Sequence, residues 1–170
     1  MIITRTWAMP NRSTFSIKPI GELIERYING GMWIDPFAGG SPFNARCIAT
    51  NDLSLAAITT HHLESLEFLQ LQADAACDGV LFDPPYSPRQ IAEVYKGAGR
   101  ACGMHDTQAS FWGDRKREIG RIVKPGGIVI ACGWNSGGIG MAHSFSIEEI
   151  LLVPHGGWHN DTIVVVERKL

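Results

Sequence analysis

The sequence predicts one α/β domain built on a mostly parallel sheet, and three observations lead there. Short apolar runs, Met32-Trp33-Ile34-Asp35, Gly79-Val80-Leu81-Phe82-Asp83 and Ile128-Val129-Ile130-Ala131-Cys132, each end at an acidic residue or just before a glycine. That is how strands buried on both faces read. Stretches with helical spacing lie before and between them, at 20–28, 89–95 and 109–123, the alternation expected of parallel strands joined by crossover helices. The end reads as a hairpin, Ile150 to Val153 and Thr162 to Glu167 around the loop 154–161, so the final strand runs against the others. A chain of 170 residues holds one such core, and residues 1–170 are read as a single domain.

Taken in order, residues 1–18 mix apolar and polar side chains around Trp7 and receive no regular element. Ile20, Leu23, Ile24, Tyr27 and Ile28 then recur at helical spacing and stop at Asn29-Gly30-Gly31. After the strand 32–35 comes Pro36-Phe37-Ala38-Gly39-Gly40-Ser41, a loop at a strand's carboxyl end, where glycine lets a ligand approach the backbone. Between Pro42 and Thr50 there is room for at most a short helix at 43–48. Asp52 therefore arrives sooner than the usual spacing of about 20 residues between such glycines and a ribose-binding acid, and a truncated first crossover is expected. A helix starts with Ser65 or a neighbour at its cap, and Asp78-Gly79 leads into the central strand.

Beyond Tyr86 a helix spans 89–95, and the glycine-rich stretch from Gly97 to Asp106 reads as a lid or substrate loop. The helix at 109–123 carries Arg115, Lys116, Arg117 and Arg121, taken as a solvated charged face, and stops at Lys124-Pro125-Gly126-Gly127. His155 and His159 stand four apart, but two glycines between them break the helix that would align them on a metal. Loop hydrogen bonding is their expected role.

Composition limits the function classes. With 15 Lys and Arg against 17 Asp and Glu the net charge is −2, so a global positive field is absent and any nucleic-acid contact is local. Cys47, Cys77, Cys102 and Cys132 stand far apart without paired spacing, which argues against a zinc site and fits reduced thiols. No metal is expected. No apolar segment is long enough to span a bilayer and Met1-Ile2-Ile3-Thr4-Arg5 does not begin a signal peptide, so a cytoplasmic location is expected, without membrane contact.

The chemistry concentrates at Asp83-Pro84-Pro85-Tyr86. Two prolines fix the backbone and remove two N–H donors, so the Asp83 and Pro84 carbonyls face a cleft free of ladder hydrogen bonds. A carboxylate, bare carbonyls and an aromatic ring at a strand end suit an exocyclic amine on a planar heterocycle. The amine donates its hydrogens to the Asp83 carboxylate and a main-chain carbonyl while the ring stacks on Tyr86. An aromatic amine is a poor nucleophile because its lone pair is delocalised; holding both N–H bonds favours the pyramidal geometry that frees it. The plainer reading is a strand end and rigid turn, with Asp83 capping the next helix.

Four segments in one order resemble the amino-group DNA methyltransferases that use S-adenosylmethionine. These are Phe15 to Pro19, Asp35-Pro36-Phe37-Ala38-Gly39, Asn51-Asp52-Leu53 and Asp83-Pro84-Pro85-Tyr86. The likeness spans nearly the whole chain and is strongest to compact adenine-specific DNA methylases. It implies a Rossmann-like class I methyltransferase fold with a mostly parallel seven-stranded sheet and an antiparallel last strand. It also implies S-adenosyl-L-methionine as cofactor and methyl transfer to adenine N6 in DNA, the base flipped from its stack. Carried over by position, Asp83, Pro84, Pro85 and Tyr86 are catalytic. Phe15, Lys18, Asp35, Pro36, Phe37, Gly39, Asp52 and Glu64 hold the cofactor, and Tyr86, Ser87, Trp134, His155 and Trp158 meet the target. The pattern departs at Ser41-Pro42, where many relatives have small residues, and at Glu64, where an Asp is common. No target-recognition domain fits in the chain, so a specificity partner or a second copy belongs with the expected DNA. Transfer to RNA adenine, cytosine N4 or a protein glutamine amide, an inactive nucleic-acid-binding subunit, and an unrelated nucleotide-binding α/β protein are the rival readings.

Overall fold

A computed structural model describes residues 1–101, 103 and 109–170. Its centre is β4 (Cys77–Phe82), whose apolar run is buried because helices cover both faces. On one side β4 pairs in parallel with β2 (Trp33–Asp35), which pairs with the two-residue β3 (Ala49–Thr50). On the other it pairs in parallel with β5 (Val123–Gly133). The hairpin β6 (Phe145–Val153) and β7 (Thr162–Lys169) follows, with β7 antiparallel to both β5 and β6. β1 (Ile2–Arg5) adds in parallel to β6, giving the order β1-β6-β7-β5-β4-β2-β3. The mostly parallel seven-stranded sheet with a reversed last strand is thus present.

Period-two alternation divides the core into two layers. Leu81 and Ile130 face α1 (Lys18–Tyr27), which buries Ile20, Leu23 and Ile24 against them. Val80, Phe82 and Val129 face the other way, onto Phe68 and Leu69 of α2 (Ser65–Gln70) and Ile119 and Ile122 of α4 (Ala109–Ile122). Each such aliphatic or aromatic side chain contributes roughly 1.5–3 kcal/mol on burial. Gly79 marks the tightest approach, since a Cβ there would lie 2.5 Å from the Trp33 ring.

Three expectations are revised. β1 comes from the stretch left without an element: all four of its side chains are exposed, so no burial period marks it, and its partner is the β6 backbone. β5 starts at Val123, where α4 ends, and Lys124 to Gly127 form an irregularity in the strand between the pairs Cys77–Val123 and Gly79–Ile128. The first crossover is as short as expected, a single 3-10 turn at Asn44–Arg46. α3 (Pro88–Gly97) is longer than its predicted span. Of the predicted lid at 97–106, positions 102 and 104–106 lie outside the described residues, as does Cys102.

Because β1, β2, β4, β5 and β6 all point one way, the segments after them open on one edge of the sheet. Among the described residues no helix is long and apolar enough to cross a membrane.

Candidate active site

A cavity of about 610 Å³ opens at that edge, between the loops after β2, β3 and β4 and the helices α3 and α4. Pro36, Phe37, Gly39, Asp52, Glu64 and the whole Asp83-Pro84-Pro85-Tyr86 turn line it, together with Ser65 and Trp112. The topology therefore brings the β2 loop, the acid after β3 and the proline turn to one place.

Asp35 ends β2 and is fully buried; it does not itself line the cavity, although Pro36 and Phe37, which follow it, do. Its Oδ1 accepts from the Phe37 N–H at 2.9 Å, while its Oδ2 is buried without a partner among the described residues. Burial pushes its carboxyl well above the ordinary range; the Phe37 N–H opposes this, and the charges of Asp83 and Asp52 add to it. A buried carboxyl oxygen with one unmet acceptor is costly unless a ligand N–H or ammonium meets it. Gly39 has φ +45°, and a Cβ there would stand 3.4 Å from Asp52 Oδ2, so the backbone and that carboxylate form a close cradle. Asp52 is steadied by the Ser54 N–H on Oδ1, at 2.7 Å. Asn51, buried beside it, donates to the Pro36 and Leu63 carbonyls and accepts from the Leu63 N–H at 2.9 Å, tying together the loops on either side.

Glu64 borders the cavity, but both of its oxygens are engaged. One accepts the Tyr95 hydroxyl from α3, the other the Arg115 guanidinium at 2.6 Å. Arg115 is buried, lies over the Phe111 ring at 3.3 Å and also donates to Ser65 Oγ and the Phe111 carbonyl. This corrects the solvated reading of the α4 charges for Arg115, where burial pulls the guanidinium pKa down and Glu64 pulls it up. Arg121 too is engaged, with Asp74, Glu118 and the Leu69 and Gln72 carbonyls.

At the proline turn, the Tyr86 hydroxyl donates to Asp83 Oδ1, and Thr14 lines the cavity with them. Burial raises the Asp83 pKa, with the Tyr86 hydroxyl first and the Thr14 side chain second pulling it back. The Tyr86 phenol is pushed far up, first by burial and then by the Asp83 charge, so it remains a donor. The Tyr86 ring meets Trp134 edge-on at 5.8 Å and its backbone N–H donates to Gln90 Oε1. Arg12, Thr14 and Gln90 also line the cavity. No spacing rule points to any of them, because they arrive from other elements.

Several predicted site residues stand elsewhere. Phe15 is in the core, edge-on to Phe43, because the turn before α1 continues that helix's apolar side. Lys18 begins α1 on its outer side, exposed and 3.9 Å from Glu22. Ser87 is the N-cap of α3, its Oγ accepting from the Gln90 N–H. His155 is buried, its ring nitrogens bonded to the Ala8 carbonyl and Thr162 Oγ1, and so braces the hairpin rather than facing a target. Trp158 is fully exposed in the hairpin loop and Trp134 is partly exposed beside the cavity-lining Tyr86.

No family model matches the chain, and no curated protein matches it. Solved structures do. One is the 1,6-didemethyltoxoflavin-N1-methyltransferase of Burkholderia thailandensis with bound 1,6-didemethyltoxoflavin and S-adenosylhomocysteine. It matches with 14% identity and TM-score 0.59 over 89% of this chain and 77% of that one. The N-methyltransferase NodS of Bradyrhizobium japonicum, in complex with S-adenosylhomocysteine, matches with 10% identity and TM-score 0.58 over 94% and 89%. TrmN from Thermus thermophilus matches with 18% identity and TM-score 0.53 over 91% of this chain and 49% of that one. By its sheet order and by these likenesses, the chain has the Rossmann-like methyltransferase fold.

Proposed function

We propose that the protein is an S-adenosylmethionine-dependent methyltransferase acting on the exocyclic N6 amine of adenine in DNA. The observation that carries this reading is the Asp83 carboxylate, which accepts the Tyr86 hydroxyl beside the cavity, with Thr14 on the same wall. An acceptor that already receives a hydroxyl at the end of a proline-blocked strand is built to receive an amine's N–H in its place. S-adenosylhomocysteine in two of the similar structures supports the cofactor. The donor set here fits it: the unmet Asp35 Oδ2 suits an ammonium or N–H, the Gly39 backbone allows close approach, and Asp52 suits ribose hydroxyls.

When bound, the cofactor supplies an electrophilic methyl group. The chain's own residues do the rest. Asp83 accepts one amine hydrogen and the Pro84 carbonyl the other, which turns the nitrogen lone pair toward the methyl carbon. Tyr86 offers its ring face to the flipped base, worth ~1–3 kcal/mol. Phe37 and Trp112 exclude water from the far wall. As the N–C bond formed, the methyl–sulfur bond would break to leave S-adenosylhomocysteine, and the amine proton held by Asp83 would pass to that carboxylate or to water. The rate would come from alignment and from the Asp83 charge opposing the positive charge that develops on nitrogen.

The test is methyl transfer to adenine-containing duplex DNA, single-stranded DNA and RNA, followed by nucleoside analysis, with Asp83→Asn beside the parent. N6-methyladenine in DNA is expected, with turnover in Asp83→Asn lower by about 10²–10³-fold, the usual loss for one aimed electrostatic contact, and cofactor affinity retained. A folded Asp83→Asn protein working near the parent rate would make the tetrapeptide a structural turn only.

A further inference from the structure

The edge that carries the cavity continues beyond it. Leaving β1, the chain runs alongside the end of β6: the Thr6 N–H donates to the Leu152 carbonyl at 3.0 Å and the Ala8 N–H to the Pro154 carbonyl at 3.2 Å. The buried His155 ring bonds the Ala8 carbonyl at 2.8 Å, and a Cβ on Gly156 would lie 3.5 Å from the Trp7 indole nitrogen. Residues 6–8 and the start of the hairpin loop are therefore one braced surface. From there the same segment reaches the cavity, where Arg12 and Thr14 are part of the wall that Asp83 also lines.

Two properties mark this face. It exposes large apolar side chains: Trp7 is 59% and Met9 67% exposed, and Trp158 is fully exposed. It is also the basic end of an acidic chain. The first twenty residues contain Arg5, Arg12 and Lys18 and no acid, although the net charge is −2. Arg5 and Arg12 are exposed, and neither has an ion-pair partner among the described residues. The acids that line the cavity, Asp52, Glu64, Asp83 and Glu93, come from the later segments instead.

We propose that residues 5–14 and the loop 154–161 form a docking face for a single strand of DNA that leads its target base into the cavity; the identity of the occupant rests on the methyltransferase reading above. Exposed indoles stack on bases only when the base faces are bare, as in an unpaired strand and not in a duplex. Two unpaired arginines match the phosphates of a short strand but are too few for a duplex-wide field. The backbone bracing keeps the face formed before the strand arrives, which lowers the ordering cost of binding.

Fluorescence anisotropy tests this without turnover. The probe is a fluorescein-labelled single-stranded DNA of about twelve nucleotides, within the usual site size for such faces, containing one adenine, and the same strand annealed to its complement. The single strand should bind more tightly than the duplex. Trp7→Ala and Trp158→Ala, shown folded by circular dichroism, should each weaken single-strand binding about five- to hundredfold. Arg12→Gln should flatten the dependence of log affinity on log salt by about 0.7, one phosphate contact. Duplex binding as tight as single-strand binding overturns the proposal, as does parent affinity in both tryptophan variants. A dimer by light scattering that Trp7→Ala dissociates also overturns it, because the face would then hold a second copy. A strand held through Trp7 and Trp158 but never methylated sustains the face and removes the methyltransferase reading. Adenine methylation with unchanged affinity in both tryptophan variants removes the face alone.

Discussion

Two carboxyl groups, the buried Asp35 at the end of β2 and the cavity-lining Asp83, are both raised in pKa by burial, and the sign of that shift makes two predictions. For Asp35 the unfolded chain releases its proton near the ordinary value of about 3.9, whereas the folded chain holds it to higher pH. Stability therefore falls as pH rises from the unfolded value through the folded one. Asp35→Asn keeps an oxygen for the Phe37 N–H and removes the titration. Its melting temperature should exceed the parent's most at neutral pH, with the gap closing toward pH 4; a gap independent of pH in thermal scans would contradict this. For Asp83 the charged form is the one that orients an amine, so the acid limb of kcat/KM should lie above the ordinary carboxylate range. Tyr86→Phe deletes a hydrogen bond that holds the Asp83 pKa down. That limb should then move to higher pH while substantial activity remains on the alkaline side. Tyr86→Ala should lose stacking, about tenfold to a hundredfold in rate. A pH profile unmoved by Tyr86→Phe would show that the hydroxyl contact does not tune Asp83.

At the scale of elements, the site depends on how one strand becomes one helix. β4 ends, two prolines follow, and Ser87 then caps α3 by accepting the Gln90 N–H. Ser87→Ala should lower stability by about 1 kcal/mol, with Ser87→Asp close to the parent because Asp caps as well. Urea denaturation measures both. Target affinity lost in a fully stable Ser87→Asp protein would instead restore Ser87 as a substrate contact. The α4 helix teaches a related lesson. Its basic residues read alike in the sequence, yet Arg115 is buried against Phe111 and joined to Glu64, while Arg117 is exposed beside Asp114. Helical spacing says which residues share a face; it does not say that a second helix, α2, will bring a glutamate to one of them.

For the whole molecule, cofactor binding and folding are linked, because Gly39, Asp52 and Glu64 come from separate loops that meet only in the folded chain. S-adenosylhomocysteine at about 100 times its dissociation constant should stabilise the protein by about 2.7 kcal/mol, seen as a raised melting temperature. Asp52→Ala should erase most of that rise while changing the unliganded melting temperature little, since the carboxylate makes one local loop bond, to the Ser54 N–H two residues on. An unchanged ligand-induced rise would remove Asp52 from the site.

The buried strands, the helices beside them and the proline turn were legible in the sequence because burial on a regular backbone leaves a period, and because glycine and proline restrict the backbone whatever surrounds them. Asp52 was legible from its place after a truncated crossover. β1 was not, since an exposed edge strand has no buried face and is defined by β6's hydrogen bonds. Phe15 and Lys18, to which the resemblance gives a cofactor role, stand in the core and on the outer side of α1, outside the cavity lining. Loop hydrogen bonding was expected of His155, but that its partner would be the Ala8 carbonyl of the N-terminal segment was not legible. Thr14, Asn51, Tyr95 and Arg115 entered the site through partners distant in sequence. Local backbone chemistry is written in neighbouring residues, whereas the partner of a polar side chain is decided by which segments the sheet order brings to the same edge.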